Sequence, residues 1–424
     1  MSQAAPASTR WWFTTMDGAE RRTFWGCFAG WGLDALDVQI FSLVLPTLLG
    51  VAFLHDKAQA GLIATVTLLC SALGGWLAGA LADRLGRVRM LQVTVAWFAV
   101  FTLLCGFAQN AGQLLAFRAL MGFGFGGEWA VGAVLIAETV RARYRGRAVG
   151  TVQSAWAVGW ALAVGVFVLV SSLTPPSLTW RIAFFVGVLP AVLVFFLRRY
   201  VPEPPIAANA AGTRPPLREA LAIFGRGLWK RTLLCSLLAT GAQGGYYALT
   251  TWLPQFLTTQ RGLALFALGG TLAIVIAGAF TGYLVGAWLA DRLGRRRTLI
   301  ITAVLAFVIV IPYATVDFNV VVFDILAFPL GFVSSAYFSA IGPLFSEQYP
   351  TAVRGSGQGF TYNFGRGIGA VFPALVGLLA DRIGISVAIA VFTGIAYALL
   401  GVAAALLGEA PGVPLTDIEP EADA

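Results

Sequence analysis

Twelve long apolar runs, each closed by a short polar joint, dominate the residue pattern of this chain. They lie at roughly 24–50, 60–82, 91–109, 113–137, 148–171, 181–200, 232–257, 265–289, 299–316, 320–345, 358–380 and 386–407. About 20 apolar residues at a rise of 1.5 Å span a hydrocarbon core, so the runs are long enough to cross a bilayer. In lipid only helices and closed barrels satisfy their own backbone polar groups, and barrel strands are short and alternating. These runs are long and uniformly apolar, which predicts an all-α membrane protein of twelve transmembrane helices.

The polar joints repeat. Ala82-Asp83-Arg84-Leu85-Gly86-Arg87, after the second run, recurs unchanged 208 residues later as Ala290-Asp291-Arg292-Leu293-Gly294-Arg295, after the eighth. Glu138 with Arg145-Gly146 returns as Glu347 with Arg354-Gly355 at an offset of 209. Two motif pairs in one register predict a duplicated chain, two pseudo-symmetric six-helix bundles around a midplane site. The expected layout is a cytoplasmic tail over 1–23, a first bundle over 24–200, a cytoplasmic linker over 201–231, a second bundle over 232–407 and a disordered acidic tail over 408–424. Pro202, Pro204 and Pro205 open the linker, and Arg226, Lys230 and Arg231 close it.

Composition narrows the class further. With 58% hydrophobic and 11% charged residues the chain is unlike a soluble domain. A net charge of +8 raises the question of nucleic acid, but the placement of the charge answers it. Of the 28 Lys and Arg, only Lys57, Arg181, Arg261 and Arg382 fall in expected outer loops, and Arg118 and Arg366 within runs. The remainder sit in the tails and inner loops, which predicts both termini in the cytoplasm of a multi-pass plasma (inner) membrane protein, with the bilayer and not nucleic acid as partner. Cys27, Cys70, Cys105 and Cys235 all lie inside apolar runs as inert thiols, and His55 is the sole histidine. No metal or cofactor is expected, and no nucleophile–base constellation supports an enzyme. The first run continues into the bundle, so no cleaved signal peptide is expected.

Ionisable residues within membrane helices are costly and face a cavity or a partner. Five lie deep: Asp34 and Asp37 in the first run, Arg118 and Glu128 in the fourth, and Arg366 in the eleventh. Asp34 and Asp37 share a helical face. Arg118 and Glu128 are ten residues apart at nearly one bearing, which predicts a polar stripe facing a central water-filled cavity. Arginine stays protonated, so three acids against two guanidinium groups leave one surplus negative charge. Asp34, Asp37 and Glu128 are therefore the candidate proton carriers, with the proton as coupling ion. The alternative for Asp34 or Asp37 is a permanent structural pair with Arg118. No acidic residue is evidently assigned to Arg366, whose planar fork suits a substrate carboxylate. Arg118, Tyr362, Asn363, Gln243, Tyr246 and Tyr247 complete the candidate substrate site, although membrane tyrosines also serve as packing residues. The repeated joints predict a cytoplasmic gate built from Asp83, Arg84, Gly86, Arg87, Glu138 and Arg145 in one half and Asp291, Arg292, Arg295, Glu347 and Arg354 in the other. Membrane anchoring would explain its arginines but not its acids. The glycine run at 122–127 lacks the strand and Lys-Ser/Thr of a phosphate loop and reads as close helix packing.

Two bundles of six helices that carry Gly79-x3-Asp83-Arg84-x-Gly86-Arg87-x-Arg89 between helices 2 and 3, and its echo at 291–297, resemble the major facilitator superfamily, over all twelve helices. Arg118-x3-Gly122-x-Gly124-x-Gly126-Gly127-Glu128-Trp129 is similar to a stretch of its metabolite:proton and sialate:proton symporters. Asp34-Ala35-Leu36-Asp37 resembles the acidic pair of its carboxylate and aromatic-acid symporters, nicotinate carriers included. Two departures stand out. The seventh run reads Gln243-Gly244-Gly245-Tyr246-Tyr247 without the His and Asp of lactate-type members, and the fifth lacks the Gly-Pro motif of antiporters. The resemblance implies proton-coupled symport of a small organic anion, a monocarboxylate, by alternating access in a functional monomer. The alternatives are a proton-independent facilitator, a carrier of sugar-like or neutral solutes, or a membrane sensor on the same scaffold.

Overall fold

A computed structural model describes residues 12–140, 145–188, 221–225, 227–350 and 353–408. The helices, in chain order, are α1 (Gly18–Gly50), α2 (Lys57–Leu85), α3 (Arg87–Phe107), α4 (Ala111–Thr139), α5 (Arg145–Gln153), α6 (Ala155–Leu173), α7 (Pro176–Gly187), α8 (Trp229–Thr259), α9 (Leu265–Leu293), α10 (Arg295–Thr315), α11 (Val320–Ala336), α12 (Phe338–Gln348), α13 (Arg354–Gly369), α14 (Val371–Ile383) and α15 (Ile385–Leu406). Three pairs, α5–α6, α11–α12 and α13–α14, are single passes broken at one residue, Ser154, Tyr337 and Ala370. The result is the expected all-helical fold of twelve passes. Nine described stretches are long and apolar enough to cross a membrane.

Polar residues set where the passes begin. Asp17 caps α1 in a reciprocal box with Glu20, its carboxylate accepting from the Ala19 and Glu20 amides. Asp56 caps α2 and Asn110 caps α4 by accepting from the Gln59 and Gln113 amides. The helices consequently start up to two turns before the apolar runs do. An even number of passes returns both ends of the bundle to one side, here termed the terminal face.

Glycine decides how closely the passes approach. A Cβ on Gly126 of α4 would stand 1.6 Å from the Ser71 carbonyl oxygen on α2. In the other half a Cβ on Gly331 of α11 would stand 1.8 Å from the Val275 oxygen on α9. The second pass thus packs on the fourth as the eighth packs on the tenth, backbone to backbone, which is how helices associate in lipid without a hydrophobic driving force. Gly126→Ala is expected to force α2 and α4 apart at a cost of about 1–3 kcal/mol, read as a lower melting temperature in detergent.

The halves meet along two seams, α2 against α13–α14 and α5–α6 against α9, with α1 and α8 between them. Turns at Gly86, Gly294 and Gly384 join consecutive helices through one residue each, at φ of 94°, 89° and 84°. Only glycine holds this conformation cheaply. Gly384 closes Ala380-Asp381-Arg382-Ile383-Gly384, a third version of the repeated joint that exact matching of the six residues misses. It lies on the face opposite the termini, because Asp381 forms a salt bridge with Lys57 at the far end of α2 from Gly86.

Candidate functional site

Within the first half, Asp37 of α1 and Arg118 of α4 face each other. Arg118 Nη1 donates to Asp37 Oδ2 at 2.9 Å, with both side chains at most 2% exposed. The other carboxylate oxygen accepts from the Thr102 hydroxyl of α3 at 2.8 Å. The guanidinium also lies over the Phe41 ring, 4.7 Å from its centroid. This is the structural pairing left open above. It closes Arg118 into the interior of one half, where the polar-stripe reading had it face a central cavity. Glu128, three turns further along α4, is equally buried.

Arg366 lies in a different place. It sits near the middle of the eleventh pass, on the last turn of α13, with 1% of its surface exposed. Its guanidinium lies over two aromatic rings, Phe125 of α4 and Tyr362 of its own helix, each 5.2 Å from the carbon to the centroid. Phe125 belongs to the first half, so the arginine spans the seam. Nε points to Gln243 Oε1 on α8 at 3.4 Å, and Gln243 Nε2 donates to the Tyr362 carbonyl at 2.9 Å. The Tyr247 hydroxyl donates to the same Gln243 oxygen at 3.4 Å. Asp34 of α1 is buried as well. Arg366 Nη1 is buried with no hydrogen-bond acceptor. A buried donor left in that condition costs about 1–3 kcal/mol, more when charged, which a fitting anion would recover.

The wall around this guanidinium is aromatic. The Trp156 indole of α6 donates to the Tyr246 hydroxyl at 2.5 Å across the seam. Trp31 lies 4.9 Å from Trp156, and Phe338 5.5 Å from Tyr246, centroid to centroid. Of the residues singled out in the sequence, Gln243, Tyr247 and Tyr362 lie beside Arg366, and Tyr246 lies next to Tyr247 at a centroid distance of 6.1 Å. Sequence reasoning missed Trp31, Phe125, Trp156 and Phe338, since one more aromatic residue in an apolar run carries no distinguishing signal. Asn363 points elsewhere: its amide donates to the Gly359 carbonyl at 3.0 Å, and its oxygen faces the backbone of Gly75 on α2.

On the terminal face, Arg295 stands between two acids, its Nε 3.1 Å from Glu347 and its Nη2 3.5 Å from Asp291. Arg354 donates to the Ser346 carbonyl at 2.9 Å, and Arg292 lies over the Trp288 ring. These contacts tie α9, α10, α12 and α13 together within the second half and do not cross the seam. They are part-exposed pairs, worth about 0–1 kcal/mol each. Of the first-half counterparts only Gly86 is described in full; the side chains of Asp83, Arg84, Arg87, Glu138 and Arg145 lie outside the described residues. Among the described residues no group of His, Cys, Asp and Glu could hold a metal ion.

Residues 27–374, the greater part of the twelve passes, match the family model of the Major Facilitator Superfamily. The chain belongs to that superfamily. It is 42% identical over 413 residues, 97% of this chain and 96% of the relative, to a probable 4-methylmuconolactone transporter of Cupriavidus pinatubonensis. It is 32% identical over 383 residues to the niacin transporter NiaP of Acinetobacter baylyi, covering 83% of this chain and 85% of that one. Its fold superposes on a solved D-xylose-proton symporter with a TM-score of 0.72 at 19% identity, over 92% of this chain and 96% of that one. The protein is a multi-pass membrane transporter and not an enzyme.

Proposed function

We propose that this transporter carries a small organic anion, a monocarboxylate, by proton-coupled symport with alternating access, its termini in the cytoplasm. The observation that carries the reading is Arg366, a buried guanidinium at the seam of the halves whose Nη1 has no acceptor among the described residues and which lies over two aromatic rings. A planar fork of that kind recognises a carboxylate, and the rings fit a flat carbon skeleton beside it. The relatives named for 4-methylmuconolactone and niacin support the same class, niacin being a monocarboxylic acid.

Charge supports the coupling. The Asp37–Arg118 pair is neutral as a unit, and Asp34 and Glu128 are two further buried acids on the same helices. An arriving anion adds negative charge to a low-dielectric interior, and a proton taken up with it lowers that cost. The test is uptake into proteoliposomes of labelled nicotinate and 4-methylmuconolactone, with xylose as a neutral control. An inward proton gradient is expected to drive one of the acids above equilibrium, and a protonophore to abolish the accumulation. Among Asp34→Asn, Asp37→Asn and Glu128→Gln, at least one should lose accumulation while keeping exchange. Uptake that only equilibrates, in the wild type and all three variants, would establish a facilitator.

A further inference from the structure

The break in the eleventh pass is made by a residue of the other half. Ala370, between α13 and α14, and Ala374 are the two ends of what would be one helical hydrogen bond. In this structure the Thr65 hydroxyl of α2 stands between them. It donates to the Ala370 carbonyl at 2.6 Å and accepts from the Ala374 amide at 3.2 Å. Insertion of a side chain into the backbone ladder is one of the few causes of a sharp helix break. Pro373 assists, because it lacks the N–H that Gly369 would need four residues on.

We propose that Thr65 is a positioning residue, whose hydroxyl holds the eleventh pass broken only while the halves are closed on the face opposite the termini. The surrounding contacts belong to the same closure. A Cβ on Gly61 would stand 2.6 Å from the Pro373 oxygen and Lys57 is bridged to Asp381, both across the seam, while the Trp252 indole of α8 steadies the Pro373 oxygen at 3.0 Å from within the second half. All of α2 must leave together when this face opens. The Ala374 amide then turns back onto the Ala370 carbonyl, and Pro373 leaves a kink where the pass is now broken. Ala370 is itself bonded by its amide to the Arg366 carbonyl at 2.9 Å. Opening the seam therefore rebuilds the helical turn next to the guanidinium, which links closure at the surface to the setting of Arg366 in the middle. The last link rests on Arg366 as the anion ligand; the dependence of the break on Thr65 does not.

The experiment uses the full chain without ligand, its native cysteines replaced, with spin labels at the exposed positions His55 and Arg382 on either side of the seam. Thr65→Val preserves shape but leaves the Ala370 carbonyl and the Ala374 amide without the hydroxyl in the closed state. It is expected to raise the ratio of long to short label separations about tenfold, the order expected for a buried polar group left unsatisfied. Thr65→Ser restores the hydroxyl and should return the wild-type distribution. A wild-type distribution in Thr65→Val overturns the proposal. So does a Thr65→Ser variant as open as Thr65→Val, since the methyl and not the hydrogen bonds would then be responsible. Because no anion is present, failure of the Arg366 reading would leave this measurement unaffected.

Discussion

Arg366→Ala is expected to lose about 2–5 kcal/mol of anion binding, the usual consequence of removing one partner of a buried charged hydrogen bond. Arg366→Lys should also bind poorly. Lysine keeps the charge, but a point charge cannot engage two carboxylate oxygens in one plane, nor stack as a flat group on Phe125 and Tyr362. Calorimetry with nicotinate on purified protein checks both, once circular dichroism and gel filtration confirm that the variants fold. Wild-type affinity in Arg366→Ala would move the anion site elsewhere. Arg118 would not then be a simple substitute, because Asp37 already occupies one of its terminal nitrogens.

Arg118→Ala should destabilise the first half by about 3–5 kcal/mol, because it strands the Asp37 carboxylate in an apolar interior with only the Thr102 hydroxyl beside it. Asp37→Asn should also destabilise, because the amide offers one acceptor oxygen where the carboxylate has two and leaves the buried guanidinium without its counter-charge. Replacing both residues by apolar ones of similar volume should recover much of the loss, as buried pairs often exchange for hydrophobic contacts at little net cost. Thermal unfolding in detergent measures all three. An Asp37→Asn protein with unchanged stability that no longer accumulates substrate would make this acid the proton carrier and not a structural clamp.

The limits of reading these residues from sequence are specific. Long apolar runs and a duplicated joint made the twelve passes and the two halves legible, because both are one-dimensional signals. Asp34 and Asp37 were recognisable as buried acids, but three residues place them a turn apart on one face. Nothing in that spacing tells that Asp37 is the one that meets Arg118 within its own half. Pro373 was visible in the eleventh run, yet the break there depends on Thr65, more than 300 positions away. Aromatic residues of the first half were hidden for a similar reason. Their role follows from which helices touch, and helix contacts are set by glycines whose partners lie far along the chain.

The three glycine joints also bear on how the chain enters a bilayer. Gly86 and Gly294 are each followed by arginines, Arg87 and Arg89 in one case and Arg295, Arg296 and Arg297 in the other. Gly384 makes the same turn on the opposite face and is followed by Ile385, Ser386 and Val387. The turn itself is thus indifferent to the side on which it emerges, and the instruction for insertion is carried by the basic residues that come after it. One structural unit can then be used upright or inverted, and a handful of arginines is enough to tell the translocation machinery which way round it goes.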